Sequence, residues 1–67
     1  MSDLYDLIRI SLAGDQLIDQ RPFTSEREAC QWHIDAWNRR ITSNALVLRW
    51  PDGRRYSFND SVGVVGG

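Results

Sequence analysis

Sixty-seven residues, 42% of them hydrophobic, make one small domain; they exclude global disorder and leave little room for an enzyme pocket. One cysteine and one histidine exclude a disulfide framework and a histidine-built metal site. The net charge of −1 hides a polarity: residues 1–35 hold seven acids against three arginines, residues 36–67 five arginines against two acids, with no lysine anywhere.

In chain order, residues 4–12 (LYDLIRISL) are rich in β-formers, and Leu4, Ile8, Ile10 and Leu12 are expected to share an apolar face that Asp6 interrupts. Ala13 to Gln16 carry turn chemistry, with Gly14 free to take positive φ. A second strand, Leu17 to Arg21, completes a hairpin; Pro22 ends it or marks an edge, because proline cannot donate to a ladder.

Thr24-Ser25 followed by Glu28 gives the S-x-x-E capping box and predicts the start of a helix. Acids fall in its positive first turn, and Arg39 and Arg40 in its negative last turn. At 100° per residue, Ala29, Cys30, His33, Ile34, Trp37 and Ile41 form the core face. Glu28, Gln31, Asp35, Asn38 and Arg39 form the outer face, with Trp32 at the boundary, leaning toward solvent. Beyond Thr42-Ser43-Asn44, ALVLRW-PDG-RRYSF predicts a second hairpin around a type I turn with a left-handed Gly53. Its closure sets Trp50 opposite Arg54, Arg49 opposite Arg55, Leu48 opposite Tyr56, Val47 opposite Ser57 and Leu46 opposite Phe58. Residues 59–67 are expected to be a short last strand at Val62–Val65 or a flexible tail. The expected fold is a single two-layer α+β domain spanning residues 1–67, in ββαββ order, with one helix on one face of an antiparallel sheet.

Two contact patches follow. Asp15, Asp19, Glu28, Trp32 and Asp35 compose an acidic, partner-binding face. Arg49, Trp50, Arg54 and Arg55 compose an arginine hairpin, which joins the residue types enriched at binding hot spots. Like charges opposite each other, as Arg49 and Arg55 are, destabilise a ladder unless a carboxylate such as Asp6 or Asp19, or an external anion, offsets them. Trp50 either caps the end of the core or makes contacts. A sequence pI near 5.6 counts against direct nucleic-acid binding by the hairpin. Cys30 and His33 share the helix core face, where packing outweighs a thiolate–imidazole pair. No catalytic residue, metal ligand set or cofactor motif emerges, so the expectation is a non-enzyme without cofactor. A free thiol and no leader-like start predict a reducing cytoplasm, and no apolar run is long enough to span a bilayer.

In size, ββαββ plan and contact-type surface the chain resembles the small inhibitors encoded by phages and mobile elements, such as anti-CRISPR proteins. That resemblance implies a stoichiometric inhibitor, a monomer or weak dimer in the host cytoplasm, that blocks a nucleic-acid-handling complex, in some cases by offering acids in place of phosphates. The Gly66-Gly67 ending after SVGVV also resembles the ubiquitin-like β-grasp sulfur carriers, which implies activation at Gly67. The tight PDG hairpin departs from that family, which usually has a short helical stretch before the last strand.

Overall fold

The computed structural model describes residues 3–39 and 45–67. In chain order these form β1 (Asp3–Ser11), β2 (Gly14–Phe23), α1 (Glu26–Arg39), β3 (Ala45–Arg49), β4 (Arg55–Tyr56) and α2 (Phe58–Gly66). The strands make one antiparallel sheet in the order β2-β1-β3-β4. The fold is thus a small α+β unit with a four-stranded sheet and two helices, one more helix than the sequence reading expects. Arg40 and Ile41, expected in the helix, and Thr42-Ser43-Asn44 beyond it lie outside the described residues.

Leu12 and Ala13 make the first turn, and Gly14 takes φ 115°, so a side chain there would be strained. β2 runs on through Pro22 to Phe23, farther than expected; its place at the sheet edge makes the missing proline donor harmless. Leu7 lies opposite Asp19 but Ile8 opposite Leu17, which leaves Ile18 as the extra residue of a bulge.

Strand alternation sends Tyr5 and Leu7 toward the helices, where they meet Leu46, Leu48 and Trp50 of the second hairpin and Ala29, Cys30 and Trp32 of α1. This corrects the expected face: Leu4 is 50% exposed and Leu12 lies fully in solvent at the turn. Ile8 is buried all the same, on the opposite side of the sheet. β1 is a central strand, flanked by β2 and β3.

The second hairpin forms as its turn chemistry dictates. Gly53 has φ 94° and donates to the Trp50 carbonyl at 2.9 Å, and Trp50 N donates to the Arg54 carbonyl at 2.8 Å. Arg49 lies opposite Arg55 and Leu48 opposite Tyr56. The two further pairs expected, Val47 with Ser57 and Leu46 with Phe58, are absent from the ladder, because Ser57 leaves the sheet to cap a helix.

That helix replaces the expected final strand or loose tail. Ser57 is extended (φ −76°, ψ 173°), its hydroxyl accepts from Asp60 N, and Asp60 Oδ2 accepts from Ser57 N at 3.0 Å. This reciprocal capping box nucleates α2, whose Phe58 stacks on Trp37 with ring centroids 5.0 Å apart while Val64 and Val65 pack on the core. Gly67 N donates to the Gly63 carbonyl at 3.0 Å. Gly66 is thus the last residue of α2 and Gly67 its C-cap. Ser57→Ala should cost about 1 kcal/mol in a urea titration and speed amide exchange selectively in α2.

Candidate partner-binding surface

Alternation along the second hairpin points Arg49 and Arg55 away from the helices, on the same side as Asp6 of β1 and Asp15 of β2. Arg49 Nε and Nη2 both donate to Asp6 Oδ2, at 2.9 and 2.6 Å, and Gln20 Nε2 donates to Asp6 Oδ1 at 2.7 Å. Burial alone would raise the Asp6 pKa; the bonds from Gln20 and Arg49, with the arginine charge, outweigh it and hold the carboxyl below its ordinary value. Arg55 Nη1 meets Asp15 Oδ2 at 3.3 Å across the breadth of the sheet. Such a reach needs the coiled sheet that the β1–β2 bulge promotes. The like-charge pair is thus offset inside the fold, by Asp6 as expected and by Asp15.

Arg54 is held as firmly. Its Nε donates to Asp52 Oδ2 at 2.8 Å, and its guanidinium lies 4.2 Å from the Trp50 ring centroid. Trp50 itself is 3% exposed and packs against Tyr5 and Tyr56 at centroid distances of 5.3 and 4.6 Å. It caps the end of the core. Every member of the predicted arginine patch is therefore engaged within the chain.

The acidic patch divides differently. Asp15 is paired to Arg55, and Asp19 to Arg21 at 3.4 Å. Asp19 Oδ1 also accepts from Gln20 N at 2.8 Å, which with Pro22 leaves two edge positions of β2 without a free donor. Strand addition along that stretch is disfavoured. The Glu28 and Asp35 carboxylates, by contrast, have no arginine partner among the described residues; that of Asp35 accepts from Gln31 Nε2 at 2.9 Å, while Arg39 Nε donates to the Asp35 carbonyl at 3.3 Å. Seven residues apart on α1, they sit on one face about 10 Å from each other along the axis.

Both line an open groove of about 680 Å³ between the β2 edge and α1, with Phe23 and Trp32 beneath and Arg21 and Arg39 alongside. Here the sequence reading of Trp32 needs correction. It is 7% exposed, its ring lies 5.2 Å from that of Phe23, and the Arg21 guanidinium covers it at 5.6 Å. The cause is the length of β2, which carries Phe23 under this flank of the helix. The structure thus brings Glu28, Trp32 and Asp35 together at one groove, separates them from Asp15, and adds Phe23, which the sequence reading missed. Comparisons with protein-family models, curated proteins and solved structures returned no match.

Cys30 and His33 are both fully buried, with Ser61 of α2 between them. Burial pushes the Cys30 thiol up, further raised by the Glu26 charge and only partly offset by the Ser61 bond. A high-pKa thiol closed off from solvent is a poor nucleophile. No group of three or more potential metal-ligating side chains clusters among the described residues, nor does any described helix have the length and apolarity to cross a membrane.

Proposed function

We propose that this chain is a non-enzymatic protein-binding module, a small phage-encoded inhibitor of the anti-CRISPR type. In this reading it seats the α1 groove on a basic surface of a nucleic-acid-handling complex in the host cytoplasm. One observation carries the reading. While the hairpin arginines and hairpin acids pair with one another, Glu28 and Asp35 have no arginine partner among the described residues and stand on the rim of the groove above Phe23. Spaced carboxylates on a rigid helix can occupy positions that phosphates take on a basic protein surface. Phe23, half-buried beneath the rim, supplies the apolar contact, with Trp32 packed behind it as support.

The full chain used as bait in a lysate of the host bacterium should retain a nucleic-acid-processing complex, and excess duplex DNA should compete for it. Reversing both charges (Glu28→Arg with Asp35→Arg) should reduce retention at least tenfold. Retention indifferent to both DNA and the charge reversal would remove the phosphate-mimic reading.

A further inference from the structure

The three polar side chains buried between α1 and α2 form a directional network. His33 Nε2 lies 2.8 Å from the Leu46 carbonyl, which can only accept, so Nε2 carries the proton. In the neutral ring Nδ1 is then bare, and it accepts the Ser61 hydroxyl proton at 2.7 Å. Ser61 is the buried residue of α2 and lies against Cys30. One imidazole therefore ties α1, β3 and α2 together.

α2 depends on that tie. It is nine residues long, with Gly63 inside it and Gly66 as its last residue. An internal glycine costs about 1 kcal/mol relative to alanine, and helices shorter than about 12 residues are marginal when undocked. The groups around His33 are the Cys30 thiol and the Trp37 ring on α1, the Leu46 carbonyl on β3 and the Ser61 hydroxyl on α2. None is anionic, and Asp60, beside Ser61 in sequence, is turned to the Ser57 cap. A proton on Nδ1 would convert the acceptor facing Ser61 into a donor and place an unpaired charge in the core.

We propose that His33 is an acid-operated latch: on protonation α2 leaves α1 and uncovers Cys30, while the β1–β3 sheet and α1 stay folded. Burial holds the docked imidazole below its usual 6.5, the Leu46 bond offsetting part of that. The docked state therefore keeps its full stability above the undocked value of about 6.5 and loses it as pH falls from there toward the docked value, because the undocked form binds the proton more tightly. One proton shifts the undocking equilibrium by up to about tenfold per pH unit in that window. The window opens at about 6.5, above the range in which carboxylates titrate.

Amide exchange of the full chain from pH 7.5 to 4.5, corrected for intrinsic rates, reads this directly. Residues 61–66 should lose protection with falling pH while β1 and β3 keep theirs, and Cys30 should react faster with 4,4′-dithiodipyridine at pH 5 than at pH 7. His33→Gln should make α2 protection independent of pH across the window. Simultaneous loss of protection in α2 and β1, unchanged α2 protection at pH 4.5, or the same pH dependence in His33→Gln would each overturn the latch. If His33→Gln does not fold, the exchange and thiol measurements on the unaltered chain still decide.

Discussion

Trp50→Ala should unfold this protein or bring it to the edge of unfolding. The side chain is 3% exposed and holds the end of the core through Tyr5 and Tyr56, so truncation removes a large apolar ring and leaves a cavity costing about 3–5 kcal/mol. A chain of this size has a total stability of roughly 3–10 kcal/mol. Arg54 would lose its stacking surface as well. Trp50→Phe should be much milder, because the indole Nε1 is buried without a hydrogen-bond partner among the described residues and phenylalanine removes that orphan donor. Urea titration followed by circular dichroism checks both variants. An alanine variant within 1 kcal/mol of the parent would return Trp50 to the contact residues.

Asp6→Asn should cost about 1–2 kcal/mol, less than a fully buried ion pair because the Arg49 side chain is 42% exposed. The change removes the charge that separates Arg49 from Arg55 while leaving the shape of the site intact. The double variant Asp6→Asn with Arg49→Gln should recover part of the loss, since the uncompensated cation then disappears. The pH dependence carries the sign. Asp6 has a folded pKa below its ordinary value, so its contribution is present above the unfolded value of about 3.9 and is lost as pH falls through the folded one. The gap between parent and Asp6→Asn should therefore close in strong acid and stay constant from pH 5 to pH 8. A gap that widened on acidification would contradict the assignment of Arg49 to Asp6.

The first hairpin, α1 and the PDG hairpin follow from local signals in the sequence: Gly14 and Gly53 at positive φ, acids in the first turn of α1, and strict alternation from Leu46 to Leu48. The last element does not. Ser57 and Asp60 carry the same capping signal as Ser25 and Glu28, but valines and glycines in the following residues weigh toward strand or tail by propensity alone. Docking on Trp37 and the Ser61–His33 bond override that preference. The face of β1 is misread from alternation because both alternating sets contain buried residues; the side with Tyr5 and Leu7 packs on α1 and the second hairpin, and Asp6 pairs with Arg49 on the other.

For the candidate surface, the sequence marks the right carboxylates but not which of them remain free. Asp15 and Asp19 look like Glu28 and Asp35 until Arg55 and Arg21 are placed beside them, and those pairings depend on the coil of the sheet and on the edge strand. Trp32 reads as half-exposed on a helical wheel because its cover, Phe23 and Arg21, belongs to another element.

The most direct measurement is the affinity of the captured partner for two charge variants side by side. One carries Glu28→Arg with Asp35→Arg on α1; the other carries Arg49→Gln with Asp6→Asn on the hairpin face, where both partners of the ion pair are neutralised together. With both variants shown to be folded, the α1 variant should lose at least tenfold in affinity, and the loss should shrink at high salt. The hairpin variant should bind as the parent does. Loss of binding in the hairpin variant with the α1 variant unaffected would contradict the account.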